Sequence, residues 1–438
     1  MTDTTKARFW IGVCALVILA PLLILFVGPQ PAGREFWREL SVALGFAGLS
    51  LMGIQFIPTS RLPFLAELFP MDILYAFHHR ISVAGFVLAM AHPLILFAGN
   101  PYTLRLLDVA SAPWRARAGV IAVMLLLLLV VSSLWRKDIT IRYEAWRGMH
   151  DLFAVAAAGL VLYHIFRVNH YMAHPLQRAY WVGAATIWAA AIVYIRVMSP
   201  LRLLRRPYRV TEVRPERGDA WTLVLEPEGH SGMRFRAGQY AWLTARTSPF
   251  SFRDHPFSFS SSATVHDRLE FTIQEAGDFT RRVKEFQPGE CIYVEGPFGT
   301  FRVEPHDAPG YILIAGGIGS VPVLSILRTM ADRQDPRPVV FFYGNPDWES
   351  ITYREDLDSL AQRMNLKVVH VLEQPPAGWS GETGFVDSEI LDRHLPSDRA
   401  DLQAFICGPI PMIVAVEKAL MEVGVPLKNI HTENYEMA

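Results

Sequence analysis

Cysteine is scarce. The 438 residues hold three, Cys14, Cys291 and Cys407, and no two of them form a CxxC pair. Three thiols are too few for a four-cysteine iron–sulfur cluster, and they make no disulfide framework. Net charge is equally small. Lys and Arg number 41 and Asp and Glu 42, for a formal charge of −1, which removes any general electrostatic case for nucleic-acid binding. There is no EF-hand loop, so calcium control is not indicated. There is also no internal repeat and no low-complexity stretch. The first apolar segment has no small-residue cleavage site and is followed by more apolar segments. It therefore reads as a membrane helix and not as a removed leader.

What the chain has in quantity is apolar surface: 51% of its residues are hydrophobic, and mean hydropathy is +0.22. Most of this lies before Pro200. Six segments there, at 9–28, 40–57, 74–97, 118–135, 148–167 and 179–198, are long and apolar enough to cross a bilayer. The second is the weakest, being short and glycine-containing. Lys6, Arg8, Arg61, Arg136, Lys137, Arg142, Arg147, Arg202, Arg205 and Arg206 all fall on one side of a six-span chain, which is then cytoplasmic. Arg105, Arg115 and Arg117 fall on the other side.

Histidines interrupt two of these segments. The third region, FHHRISVAGFVLAMAHPLILF, carries His78, His79 and His92; the fifth, WRGMHDLFAVAAAGLVLYHIF, carries His150 and His164. Ionisable groups inside a membrane segment are costly and are usually functional. His78/His92 and His150/His164 are each fourteen residues apart. That is about 3.9 helical turns, which puts both rings of a pair on one face, about 21 Å apart along the axis. The third and fifth spans both run from inside to outside, so His78 meets His150 at the inner level and His92 meets His164 at the outer. A bis-histidine haem needs one imidazole on each side of the iron, and this pattern supplies that twice. His79 is turned about 140° from the His92 face, which favours His78. Arg80 and Arg147 lie near the inner pair, as propionate partners or as plain positive-inside anchors. In the outer loop, His170 and His174 are candidates for an incoming metal ion, or ordinary loop histidines.

After LRLLRRPYRV (201–210) the composition becomes that of a soluble protein. YRVTEV, WTLVLEP, QYAWLTA, RLEFTIQEA and CIYVEG read as short antiparallel strands of a β-barrel at 207–304. From Gly310, YILIAGG, PVVFFYG, KVVHVLE and DLQAFICG alternate with helical patterns, which predicts a parallel α/β sheet at 310–438. The expected architecture is thus a six-helix transmembrane bundle at 1–200, then a barrel, then an α/β domain.

Five motifs lie beyond the apolar region. HPFSFSSS spans His255 to Ser262, and AGDFTRRVKEF spans Ala276 to Phe286. LIAGGIGSVPVLSIL carries Gly316, Gly317, Gly319 and Pro322, FICGPIPM carries Cys407, Gly408 and Pro409, and the tail reads HTENYEMA. A strand ending in GGIG before a helix lets the backbone approach a pyrophosphate at the helix N-terminus. These motifs, in this order, resemble the ferredoxin-NADP reductase superfamily over 207–438, in the HPF-[ST] form of NADPH oxidases and ferric reductases. The six-span region resembles the ferric reductase-like transmembrane domain, mainly through its four histidines. The whole chain looks like a prokaryotic flavocytochrome of that kind.

The resemblance implies FAD, NAD(P)H and two b haems. His255, Pro256, Phe257, Ser258, Ser260 and Ser261 would serve the flavin, Phe257 and Ser258 facing its flat ring. Gly277, Phe279 and Thr280, with Thr280 as the helix cap, would serve its pyrophosphate. Gly316, Gly317, Gly319, Pro322, Cys407, Gly408 and Pro409 would serve the nucleotide. Ser258, Cys407, Glu433 and Tyr435 would surround the hydride path, although three residues follow Tyr435 where many members end at the aromatic. The activity implied is electron transfer from cytoplasmic NAD(P)H to an outer acceptor, dioxygen giving superoxide first and ferric iron second. The further alternative is electron input to a partner protein or a quinone. The location implied is a bacterial inner or plasma membrane, with lipid around the spans. In YGNPDWESITYRED, acidic Asp347 leans towards NADH and basic Arg354 towards NADPH, with NADH slightly favoured.

Overall fold

Apolar runs of this length can satisfy their backbone polar groups within a bilayer only as helices. In the computed structural model six such helices form among the described residues: Arg8–Phe26, Phe36–Ser60, Ile73–Gly99, Trp114–Leu134, Tyr143–Val168 and Pro175–Leu204. Residues 3–27, 32–63, 65, 69–136, 138, 140–304, 306 and 308–434 are described. The helices outrun the apolar segments at several ends. Helical hydrogen bonding continues through polar residues such as Tyr143 and Glu144, where the hydropathy signal stops. The chain forms two bodies, Met1–Leu62 with Ile73–Ser199, and Pro63–Asp72 with Pro200–Ala438.

The second helix, weakest by sequence, is the most enclosed of the six, with 50% of its apolar window buried against 6% for the third and fifth. Its glycines explain this. A Cβ on Gly48 would stand 2.6 Å from the Ala89 amide nitrogen and 2.9 Å from the Gly85 carbonyl, so the second and third helices cross backbone to backbone. Small residues at such a crossing are the usual route to tight packing in lipid, where apolar surface gains little from association.

In the second body the barrel strands are β1 Tyr208–Glu216, β2 Ala220–Pro227, β3 Tyr240–Ala245, β4 His255–Ser258, β5 Leu269–Gln274 and β6 Cys291–Phe298. They pair antiparallel in the order β4-β3-β6-β1-β2-β5. Pro256 is tolerated because β4 is an edge strand. A bridge from Phe259 to Phe271 curls the edges towards each other over a core that includes Leu223, Leu243 and Ile292.

The second sheet contains β7 Tyr311–Gly316, β8 Val339–Asn345, β9 Leu366–Leu372, β10 Glu382–Thr383, β11 Gln403–Gly408 and β12 Ile430–Asn434. All are parallel, in the order β10-β9-β8-β7-β11-β12. Strand order reverses between β7 and β11, and ligands of open α/β sheets sit at the carboxyl ends of the strands flanking such a point. The barrel and this sheet share one apolar core. Hydrogen bonds stitch the seam between them: Ser325 Oγ donates to the Ser261 carbonyl at 2.8 Å, and the Ala263 N–H donates to Thr329 Oγ1 at 2.9 Å.

The helix crossing is testable. Gly48→Val should destabilise the membrane body by about 1–3 kcal/mol through overpacking. The measurement is a thermal melt of the full chain in detergent, and an unchanged midpoint would mean that the crossing is not tight.

Candidate functional site

The third and fifth helices bring the predicted histidines together at two levels. The His78 and His150 ring centroids are 6.1 Å apart, and those of His92 and His164 are 6.5 Å apart. Two metal–imidazole bonds of about 2 Å, plus about 1 Å from each nitrogen to its ring centre, also give about 6 Å. The outer rings hold the tautomer that ligation needs. His92 Nδ1 lies 3.1 Å from the Ser41 carbonyl and His164 Nδ1 lies 2.7 Å from the Arg115 carbonyl. A carbonyl only accepts, so Nδ1 carries the proton and Nε2 keeps its lone pair for a metal. At the inner level His150 Nδ1 lies 3.3 Å from Ser133 Oγ.

Two glycines shape the outer site. A Cβ on Gly45 would press on the His92 ring at 3.3 Å, and one on Gly119 on His164 Nδ1 at 3.1 Å. The outer pair lines a cavity of about 760 Å³ with Phe46, Leu49, Leu126 and Val161, and Arg34, Arg38 and Arg115 line it too. That volume is within the usual range for small-molecule sites. On these observations the residues fit a bis-histidine haem at each level. His79 and Arg80 are exposed. His170 joins the outer cavity, its ring 4.7 Å from that of Tyr171. Among the described residues no group of three or more His, Cys, Asp or Glu converges as a separate metal site.

In the second body the flavin-type motifs converge. The His255 ring stacks on Phe279 at 4.1 Å with 22° between planes, and Phe257 lies 5.9 Å from the same ring. The first two motifs thus form one aromatic ledge. Ser258 pairs with Tyr240 across β4 and β3. A Cβ on Gly299 would lie 3.2 Å from the Tyr240 ring and 3.5 Å from Glu433 Oε1. Glu433 in turn pairs with Cys407 across β12 and β11. Ser258, Glu433 and Cys407 are therefore linked through Tyr240 and Gly299, two residues that sequence reasoning missed. Long-range pairing brings them in, and nothing local to either one signals it. Tyr435 lies outside the described residues. Burial, followed by the charge of Glu433, pushes the Cys407 thiol well above its ordinary range, so it stays protonated and neutral.

The GGIG turn ends β7, and Pro322 falls in the first turn of the helix Ser320–Asp332. A Cβ on Gly319 would reach 2.3 Å from the Cys407 carbonyl, so this turn and the Cys407-Gly408-Pro409 strand end are in direct backbone contact. Gly344 pairs with Gly316, which places Asn345 to Asp347 beside the same turn. Asp347 Oδ1 accepts from the Ser350 N–H at 2.8 Å. The Arg354 guanidinium lies 4.4 Å over the Trp348 ring and donates to the Trp348 carbonyl at 3.2 Å.

Two expectations are corrected. Thr280 begins its short helix instead of capping it. Its Oγ1 accepts from the Ala276 and Gly277 N–H groups, both at 2.8 Å, and so closes the turn from within. Ser260 and Ser261 do not offer hydroxyls to a cofactor. Both are buried in the seam, where Ser260 Oγ accepts from Thr272 Oγ1 at 3.1 Å and Ser261 Oγ accepts from the Glu270 N–H at 3.2 Å.

Three family descriptions match in series along the chain. Residues 44–161 match the ferric reductase like transmembrane component, residues 191–302 an FAD-binding domain, and residues 313–418 the oxidoreductase NAD-binding domain. NADH-cytochrome b5 reductase 1 of Lodderomyces elongisporus is 37% identical over 162 residues, 36% of this chain and 54% of that protein. The chain thus spans about half the length of that relative. The reductase of the same name from Mortierella alpina is 28% identical over 276 residues, 61% of this chain and 91% of that protein. A flavohemoglobin from Malassezia yamatoensis has a similar fold, with a TM-score of 0.51 at 17% identity over 92% of this chain and 100% of that one. The three matched regions in series are those of a ferric reductase-like membrane component followed by an FAD-binding and an NAD-binding domain.

Proposed function

We propose that this chain is a transmembrane oxidoreductase carrying electrons from cytoplasmic NAD(P)H, by way of FAD and two b haems, to an acceptor on the outer side. The observation that carries this is the pair of facing histidine couples, at 6.1 and 6.5 Å, in one polypeptide with flavin- and nucleotide-type motifs. When bound, the flavin takes hydride from the nicotinamide and the haems relay single electrons. The protein's part is placement. His78 and His150 would hold the inner haem, and His92 and His164 the outer. Phe257 and Ser258 would present a flat face and a hydroxyl to the flavin. The Gly316–Gly319 turn would receive the dinucleotide pyrophosphate. Glu433 and the neutral Cys407 thiol would border the hydride path and keep water from it.

The acceptor proposed first is dioxygen, giving superoxide, since the outer cavity is lined largely by apolar side chains that admit a small neutral molecule. Arg34, Arg38 and Arg115 in its lining favour a second reading, an anionic ferric chelate. Delivery to a partner protein or a quinone is the remaining class. Superoxide and Fe(II) production by purified protein given NAD(P)H separate the three.

Two outcomes are expected. His92→Ala and His164→Ala should each remove one of two haems and abolish acceptor reduction while sparing dye reduction by the flavin. A haem:protein ratio of two in either variant would remove the outer assignment. NADH should exceed NADPH in kcat/KM by roughly tenfold or more. The reading is supported by acidic Asp347, which follows β8 where an acid favours a ribose 2′-hydroxyl, and by basic Arg354 being engaged with the Trp348 ring. Asp347→Ser should narrow that ratio, and an unchanged ratio would assign the selection elsewhere.

A further inference from the structure

An ion pair inside the membrane helices stands beside the inner histidines. Asp151 directly follows His150 in the fifth helix, and its carboxylate accepts a hydrogen bond from the Arg196 guanidinium of the sixth. Charged groups at such a position are costly unless paired, and they mark function more often than stability. Arg196 lies in the middle of a π-helical turn, Tyr194–Met198, in which the Ser199 N–H reaches back to the Tyr194 carbonyl. Turns of this kind put one extra residue into a helix and recur at functional sites. Here the turn shifts the register of the sixth helix at the residue that meets Asp151.

The two histidine levels differ in the charges around them. The Asp151 carboxylate is close enough for its charge to act on both His78 and His150. The outer rings meet the neutral carbonyls of Ser41 and Arg115, and the charges lining their cavity include the Arg34, Arg38 and Arg115 guanidiniums. Among the described residues, Arg147 and Arg61 also lie near enough for their charges to act on Arg196.

We propose that Asp151 and Arg196 are a positioning pair whose opposed charges set the reduction potential of the haem held by His78 and His150. The inference rests on the haem reading given above. Adding an electron to that site is opposed by a nearby carboxylate and favoured by a nearby guanidinium. Paired, the two nearly cancel, and the π turn keeps them paired. The pair then keeps the inner potential below the value that Arg196 alone would set.

The test is a spectroelectrochemical titration of both haems in the purified full chain. Asp151→Asn removes the carboxylate charge and should raise the inner midpoint. Arg196→Gln leaves Asp151 unopposed and should lower it. Each change should be of the order of tenfold in electron affinity, about 59 mV for a one-electron couple. The Asp151→Asn/Arg196→Gln double variant and Arg196→Lys should both stay close to the parent, and the outer midpoint should not move in any variant. Shifts of one sign in both single variants, or no shift, would overturn the proposal. So would loss of the inner haem from Arg196→Gln alone, which would make Arg196 an anchor for the haem carboxylates. A parent protein without two haems would overturn the haem reading itself, and that is visible before any variant is made.

Discussion

The distance between two imidazoles across the third and fifth helices is the constraint on which the membrane body depends. At about 6 Å between ring centres the helices can be neither in full contact nor far apart, and the same gap recurs at both levels. The rest of the bundle accommodates that gap. The second helix gives up side chains at Gly45 and Gly48 so that it can press against His92 and the third helix. The fourth does the same at Gly119 against His164. Two carbonyls, of Ser41 and Arg115, hold the outer rings by their Nδ1 atoms and fix which nitrogen faces inward.

The second body follows a different rule. Its motif residues come from four strands and two turns. The aromatic ledge of His255, Phe279 and Phe257 belongs to the barrel, the GGIG turn to β7, and Cys407 and Glu433 to β11 and β12. A shared core and a line of hydrogen bonds between Ser261, Ala263, Ser325 and Thr329 hold barrel and sheet as one unit. The motif residues are therefore held at strand ends and in the turns beside them.

Much of this was legible in the sequence, for identifiable reasons. The histidine pairs showed because helical periodicity turns a spacing of fourteen into a shared face. The GGIG and Cys-Gly-Pro turns showed because glycine next to a buried strand signals a close backbone approach. The serine run after HPFS misled. Strand alternation does not say which hydroxyls will find partners, and those of Ser260 and Ser261 lie far along the chain, at Thr272 and Glu270. Tyr240 and Gly299 were silent for the same reason. The Asp151–Arg196 contact also joins distant positions. Its trace in the sequence was one acid and one base inside segments that are otherwise mostly apolar.

The fourteen-residue intervals place an unusual demand on chain length. A residue added between His78 and His92 would turn one ring by about 100° around its helix relative to the other, and so would a residue removed. Neither site could then face the fifth helix while the other did. Most membrane helices tolerate a shift in length by tilting or by fraying at an end, but here two couples share one pair of helices and must stay in register. The interior of those two helices is thus fixed by count as well as by composition, whereas the loops between helices carry no such restriction.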